Sequence, residues 1–278
     1  MSLIAALQMV VGPSVKDNLA QASLLIHQAV DQGAKLVALP EMFAIAGVDF
    51  RAKLAIAETY GAGPIQDFLS HQAQRHQISI VAGTLPISSV NPNKVRAACL
   101  VYDAEGQCIA RYDKIHLFDV VISETESYCE SSTTEAGNQR IVIDTPVGKL
   151  GLAVCYDLRF PELFRLLSQQ GAEIFILPAA FTVKTGLAHW EVLLRARAIE
   201  NLCYLVAPAQ CGTALNGRST YGHSMIIDPW GEILSEAPCD QPAFISAEVD
   251  LAYLHHVRKK MPIFEHRKDL NTHEILNA

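Results

Sequence analysis

Short apolar runs of strand length alternate with helical patterns along much of this 278-residue chain. The run at 4–11 is followed at 16–32 by apolar residues at helical spacing: Leu19, Ala22, Ile26, Ala29 and Val30. Strand-length runs recur at 36–40 and 78–82, and a helical pattern separates them at 65–76. This alternation is typical of β-α-β units, in which helices cover a largely parallel sheet.

Other apolar runs follow each other through turn residues and predict antiparallel hairpins. The runs at 97–103 and 108–112 flank a short turn that contains glycine, and those at 140–144 and 150–154 flank a second turn. Hairpins of this kind need no helix between their strands. The mixture predicts a layered α/β fold, with helices outside two central sheets and a single domain across 1–278.

Two segments differ from this pattern. Residues 118–138 show no regular period and are predicted to form a long loop, a kind of segment that is usually functional or mobile in compact domains. Residues 261–278 are polar and are predicted to form a C-terminal tail, which could reach an oligomer interface. Neither segment is a Pro/Gly/Ser-rich linker, so the prediction remains one domain.

Composition and charge exclude several classes of partner. Lys and Arg total 22 against 29 for Asp and Glu, a net charge of −7, which makes nucleic acid and anionic membranes poor partners. No apolar run approaches the roughly 18 residues of a membrane span, and the N-terminus lacks the basic region of a secretory signal. Seven cysteines without a CxxC pair favour a reduced, cytoplasmic location.

Three residues that can carry chemistry fall at the carboxyl ends of predicted strands. Glu41 lies in LVALPEMF, Lys114 in CIARYDKIHLFD and Cys155 in KLGLAVCYDLRFPELF. Sites in α/β proteins gather at this edge of the sheet. The glutamate could act as a base, the lysine as the partner of an oxyanion and the cysteine as a nucleophile. Spacing alone leaves open a buried structural cysteine and ordinary charges at strand ends.

At these motifs the sequence resembles the nitrilase superfamily, the carbon–nitrogen hydrolases. LPEMF, YDKIHLFD and GLAVCYDLRFPE occur in the order that the family shows, and TGLAHWEVLLRARAIENLCY and YGHSMIIDPWGEIL are also family-like. The resemblance covers nearly the whole chain. It implies a four-layer α-β-β-α sandwich of the nitrilase type, a homodimer or higher homo-oligomer, and catalysis without a cofactor by Glu41, Lys114 and Cys155.

Within the superfamily, the resemblance is closest to the amidases that act on deaminated glutathione. It rests on CES, CYDLRFPEL, GLAHWEVLLRARAIE and APAQCG. It implies a small-molecule amide as the partner, hydrolysed through a thioester to 2-oxoglutarate and cysteinylglycine. An ω-amidase, another nitrilase-type activity on a small substrate, and a scaffold without catalysis are the alternatives.

The resemblance also implies roles for supporting residues. The family has a second glutamate in the loop after the lysine, and Glu130 is the best match to it. The backbone N–H of Tyr156, directly after the nucleophile, is expected to be the second oxyanion donor. Arg159 is a candidate to bind a substrate carboxylate, and a salt bridge to Asp157 or Glu162 is the alternative. No metal site is expected.

Overall fold

The computed structural model describes residues 1–46, 51–124, 126–214 and 217–268. In chain order its strands are β1 Ser2–Gln8, β2 Leu36–Ala38, β3 Ser79–Val81, β4 Leu85–Ser88, β5 Val95–Tyr102, β6 Cys108–Asp113, β7 Asp119–Ser123, β8 Glu126–Cys129, β9 Val142–Thr145, β10 Gly148–Leu152, β11 Ile174–Ile176, β12 Tyr204–Ala207, β13 Cys211–Thr213, β14 Ser219–Tyr221, β15 Met225–Ile227, β16 Ile233–Glu236 and β17 Ala243–Val249. Its α-helices are α1 Val15–Asp31, α2 Ala52–Ala55, α3 Pro64–His76, α4 Pro161–Gln169, α5 Val183–Asn201, α6 Leu251–Lys260 and α7 Ile263–His266.

The N-terminal half of the chain forms most of a seven-stranded sheet, in the order β17-β1-β2-β3-β5-β4 with β6 paired to β5. Strands β1, β2 and β3 are parallel neighbours, while β4, β5, β6 and β17 pair antiparallel. Helices α1 and α3 supply the connections between the parallel strands, as the alternating pattern predicted. The first of the two predicted hairpins is β5–β6, and the second is β9–β10.

Successive residues of β1 belong to two different hydrophobic clusters. Ile4 and Ala6 are buried among residues of the second sheet, whereas Ala5 and Leu7 are buried among residues of α1 and α3. The period of two residues follows from the pleat of a strand, which sends neighbouring side chains to opposite faces. The first sheet is therefore covered on both faces.

The second sheet has six strands in the order β16-β15-β12-β11-β10-β9, and its centre, β10-β11-β12, is again parallel. Helices α4 and α5 pack on it. The Phe164 ring of α4 lies 5.2 Å from the Phe175 ring of β11, and Trp190 and Leu194 of α5 are fully or nearly fully buried. Two sheets between two helical layers confirm the predicted four-layer α-β-β-α fold.

The region predicted to be a long loop, 118–138, contains regular structure. It forms the hairpin β7–β8 and a 3₁₀ turn at Glu130–Ser132. The expectation was wrong because every residue of β7 is exposed or only half buried, so the strand lacks the buried alternation that sequence patterns reveal. Of the tail at 261–278, residues 269–278 lie outside the described residues, and the earlier part includes α7. Within the described ranges, no helix is long and apolar enough to span a membrane.

Candidate active site

Glu41, Lys114 and Glu130 form a buried cluster of charges. Glu41 comes three residues after β2 and Lys114 directly after β6. The Lys114 Nζ lies 2.8 Å from Glu41 Oε1 and 2.8 Å from Glu130 Oε2. The side chains of Lys114 and Glu41 are 2% and 5% exposed. The backbone N–H of Phe118 donates to Glu130 Oε2 at 2.7 Å, so the 3₁₀ turn is held against the lysine.

The charges of this cluster depend on one another. Burial disfavours the Lys114 ammonium, but the carboxylates of Glu130 and Glu41 outweigh it and raise the pKa of Lys114 well above its ordinary value. Burial also disfavours the Glu130 carboxylate, but the charge and hydrogen bond of Lys114 outweigh it and lower the pKa of Glu130. The cluster therefore contains a permanently protonated lysine.

Cys155 lies beside this cluster at the start of a 3₁₀ helix, Cys155–Arg159, three residues after β10. Its φ is 47°, a left-handed conformation that residues other than glycine rarely adopt and that occurs often at functional sites. The residue is 7% exposed. Burial and the neighbouring Glu41 carboxylate raise the pKa of the Cys155 thiol well above its ordinary value, while Lys114 opposes them. The resting thiol thus keeps its proton, with the Glu41 carboxylate beside it.

One cavity is lined by all three charged residues of the cluster and by Cys155. Cys155, Glu41, Lys114 and Glu130 all contribute to its wall, together with mostly apolar residues that include Val11, Met42, Ile45, Phe118, Tyr128, Ala180 and Phe181. An apolar cleft with a few convergent polar groups is the usual form of a small-molecule site. Among the described residues, no group of three or more His, Cys, Asp or Glu is placed to hold a metal ion.

The structure places Tyr156 and Arg159 differently. Tyr156 lines the cavity, and its ring packs edge-on against Phe118 at 5.1 Å. Arg159 is half-buried, with its Nη1 3.2 Å from His189 Nδ1 and its Cζ 5.7 Å from the Phe181 ring. Arg159 is not among the described residues that line the cavity. Five of the six predicted site residues therefore meet at one cavity.

Lys53, Gln210 and Arg218 are among the polar residues of the cavity wall that were not predicted. Lys53 comes from the short helix α2, and Arg218 from the turn between β13 and β14. Gln210 is buried, and its Nε2 donates to the backbone oxygen of Glu41 at 2.7 Å. Only Gln210 lies in a string that the sequence had singled out, APAQCG. Lys53 and Arg218 have no local pattern that marks them.

Comparison with known proteins identifies the family of this fold and site. The model of one protein family, carbon–nitrogen hydrolase, matches residues 3–259. The chain belongs to the carbon–nitrogen hydrolase family. The deaminated glutathione amidase of Synechocystis sp. (strain PCC 6803 / GT-S) is 47% identical over 268 residues, which are 95% of this chain and 97% of that relative. These matches confirm the enzyme class that the sequence motifs predicted.

Solved structures that are similar to this one include the two that follow. The Caenorhabditis elegans NitFhit protein has a TM-score of 0.91 and 38% identity, with 98% of this chain and 66% of that chain covered. A mutant of the amidase from Nesterenkonia sp. AN1 has a TM-score of 0.78 and 25% identity, with 95% and 100% covered. That structure shows the result of Michael addition of acrylamide at its active-site cysteine. The likeness to NitFhit confirms the nitrilase type of fold.

Proposed function

We propose that this carbon–nitrogen hydrolase is a cysteine-dependent amidase that converts deaminated glutathione to 2-oxoglutarate and cysteinylglycine. The observation that carries the proposal is the buried cluster of Glu41, Lys114 and Glu130 beside Cys155, open to one cavity. The 47% identity to a deaminated glutathione amidase supports the choice of substrate. The reaction needs no cofactor, because the side chains supply a nucleophile, a base and a fixed positive charge.

The first half of the reaction forms a thioester. Because the pKa of the Cys155 thiol is raised, it needs a base, and the adjacent Glu41 takes the proton as sulfur attacks the amide carbon. The Lys114 ammonium and the Tyr156 backbone N–H stabilise the tetrahedral oxyanion. When the C–N bond breaks, Glu41 returns the proton to the leaving nitrogen, which departs as the amino group of cysteinylglycine.

The second half of the reaction hydrolyses the thioester. Glu41, again a carboxylate, takes a proton from water while the water oxygen attacks the thioester carbon. The C–S bond then breaks, the thiol of Cys155 regains a proton, and 2-oxoglutarate leaves. Glu130 keeps Lys114 charged and oriented through the contact of 2.8 Å. The acrylamide adduct at the active-site cysteine of the Nesterenkonia amidase supports a reactive cysteine in a protein of this fold.

The proposed substrate is anionic, and the cavity has cations that can bind it. Deaminated glutathione has a carboxylate on each side of the scissile amide, whereas 2-oxoglutaramate has one, on the acyl side only. Besides Lys114, the cationic side chains among the described lining residues are Lys53 and Arg218. Arg218 Nη2 donates to the backbone oxygen of Ala180, a neighbour of Cys155, at 3.0 Å. We propose Arg218 as a carboxylate-binding residue, a role that the sequence had suggested for Arg159.

A comparison of substrates tests the proposed function directly. The purified enzyme should have a higher kcat/KM for deaminated glutathione than for 2-oxoglutaramate, a neutral amide or a simple nitrile, all measured under one set of conditions. Higher values for 2-oxoglutaramate would make the chain an ω-amidase. Absence of hydrolysis of all four compounds, with Cys155 unreactive towards acrylamide, would favour a scaffold without catalysis.

Substitution of Arg218 is expected to reduce activity selectively on anionic substrates. A charge-assisted contact contributes roughly 1.5–3 kcal/mol, which corresponds to about one to two decades in kcat/KM. Arg218→Leu should lower kcat/KM for deaminated glutathione by that amount and leave the value for a neutral amide nearly unchanged. Arg159→Leu is the matched comparison, because it removes the same charge from a side chain outside the cavity wall.

The pattern of losses across the two arginine variants decides between the two residues. A selective loss in Arg159→Leu, with Arg218→Leu unaffected, would return the carboxylate contact to Arg159. Equal losses on anionic and neutral substrates in either variant would show that the arginine maintains the shape of the cavity. If Arg218→Leu lowered kcat/KM for deaminated glutathione but not for 2-oxoglutaramate, Arg218 would bind the carboxylate on the leaving-group side of the amide.

We propose that the enzyme is a single domain across 1–278 and a cytoplasmic homodimer or higher homo-oligomer. All seven cysteines carry free thiols, which suits a reducing compartment. Val192 and Ile199 are exposed one above the other on α5 at 68% and 45%, and Trp230 is exposed at 54%. Such apolar residues on an outer helical layer suit contact with a second copy, as the family resemblance implies.

Charge placed on this helical face is expected to separate the copies. Val192→Asp and Ile199→Asp should each lower the molar mass measured by light scattering to that of one chain, because a carboxylate at a self-contact also faces its own copy. Val90→Asp is the control, since Val90 is 97% exposed and lies far along the chain from α5. An unchanged mass in both α5 variants would place the contact on another surface.

A further inference from the structure

Asp157 is a fully buried carboxylate at which four polar groups meet. Its Oδ2 accepts from the Tyr112 hydroxyl at 2.6 Å and from the Val154 N–H at 2.8 Å. Its Oδ1 accepts from the His116 N–H at 3.1 Å and lies 2.7 Å from His116 Nδ1. The residue is 0% exposed and does not line the cavity, as far as the described residues show. A buried carboxylate is costly unless it is hydrogen-bonded in this way, so its partners identify its role.

The partners of Asp157 belong to the two segments that carry the proposed nucleophile and the proposed oxyanion partner. Tyr112 and His116 lie two residues before and two residues after Lys114. Val154 immediately precedes Cys155, and Asp157 lies two residues after Cys155. These segments come from different sheets, because β6 belongs to the first and β10 to the second. The Asp157 carboxylate thus connects residues 112–116, which include Lys114, to residues 154–157, which include Cys155.

The contacts around Asp157 are fixed on every side. Burial and the Asp157 carboxylate raise the pKa of Tyr112 well above its ordinary value, so its hydroxyl stays protonated and able to donate. The His116 ring is stacked on Phe160 at 3.6 Å with an angle of 7° between the planes. Phe160 also donates its N–H to the Asp157 backbone oxygen at 2.9 Å. The connection that Asp157 makes between the two segments therefore has little freedom to shift.

We propose that Asp157 is a positioning residue that holds Cys155 and Lys114 at their working separation across the two sheets. The proposal rests on the proposed function in one respect, that Cys155 and Lys114 act on the same carbonyl group. A displacement of about 1 Å between reacting groups can cost on the order of 100-fold in rate. Weakening the connection through Asp157 should thus slow the chemical step and leave substrate binding largely intact.

Two variants weaken the connection through Asp157 to different degrees. Asp157→Asn replaces one of the two accepting oxygens by an NH2 group, which cannot accept from the backbone N–H that it would face. It should lower kcat on the order of 10- to 100-fold with KM changed less than threefold. Tyr112→Phe removes one donor and keeps the carboxylate, and should lower kcat by a smaller factor, about 3- to 10-fold. The rate of acrylamide addition to Cys155 should fall in both.

Tyr204→Phe is the matched control for a purely structural effect. Tyr204 is also a buried tyrosine, at 2% exposure, and its hydroxyl donates to the Asp250 backbone oxygen at 3.3 Å, away from both segments. It should lower the melting temperature about as much as Tyr112→Phe while kcat stays at the wild-type value. If Asp157→Asn does not fold, the comparison of the two tyrosine variants carries the test.

The outcomes separate this proposal from the proposed function. Equal kcat in Tyr112→Phe and Tyr204→Phe at equal loss of melting temperature would overturn the positioning role, as would a rise in KM that accounts for the whole effect. The rate of acrylamide addition is independent of the natural substrate. A wild-type enzyme that reacts with acrylamide at Cys155 but does not hydrolyse deaminated glutathione would contradict the substrate, and leave the test of Asp157 intact.

Discussion

Replacement of Cys155 by alanine is expected to abolish hydrolysis of deaminated glutathione and to leave the fold intact. Alanine removes one sulfur atom at the wall of the cavity, so few packing contacts are lost, but no group remains to form the thioester. Cys155→Ser should be nearly inactive as well, because a hydroxyl is much harder to ionise than a thiol and Glu41 is a weak base for it. Steady-state turnover and circular dichroism measure the two effects.

Cys99→Ala is the control for this substitution. Cys99 is fully buried in the first sheet and does not belong to the described cavity wall, so its loss should affect stability and not turnover. Acrylamide should label Cys155 in the wild type and in Cys99→Ala, and mass spectrometry should detect the label. In Cys155→Ala, position 155 should carry no label. Retained turnover in purified Cys155→Ala would exclude the thioester mechanism.

The three principal candidate residues could be singled out from the sequence because each follows the end of a strand. Glu41 follows β2, Lys114 follows β6 and Cys155 follows β10, and apolar runs in the sequence mark all three strands. β2 and β6 belong to the first sheet and β10 to the second, so the strand pattern placed each residue at the carboxyl end of a strand, and the packing of the two sheets brings the three together. Glu130 required the family resemblance, since it lies on a 3₁₀ turn with no periodic pattern.

The cations of the cavity wall could not be predicted in the same way. Arg159 is only four residues from Cys155, but the 3₁₀ helix between them turns its guanidinium towards His189. Arg218 reaches the cavity from the small hairpin β13–β14, and Lys53 from α2, a helix of four residues without a buried face. These placements depend on how distant segments pack, which neither composition nor spacing records.

Lys114→Met is expected to lower kcat by about 100- to 1000-fold, the usual cost of losing one oxyanion donor. Because the oxyanion exists only during the reaction, KM should change far less than kcat. The substitution also leaves the carboxylates of Glu41 and Glu130 buried without their cation. Removing one partner of a buried ion pair commonly destabilises a protein by roughly 3–5 kcal/mol, so the melting temperature should fall too. The single variant is therefore expected to lower both kcat and the melting temperature, so it cannot assign the two effects separately.

A second substitution separates the two effects of Lys114. In Lys114→Met/Glu130→Gln the amide removes one of the two buried negative charges, so much of the lost stability should return. The backbone N–H of Phe118 can still donate to the glutamine oxygen. The kcat should stay about 100- to 1000-fold low, because the Lys114 ammonium that stabilises the oxyanion is still missing. If kcat recovered together with the melting temperature, Lys114 would serve to neutralise Glu41 and Glu130, and the oxyanion would depend on backbone N–H donors alone.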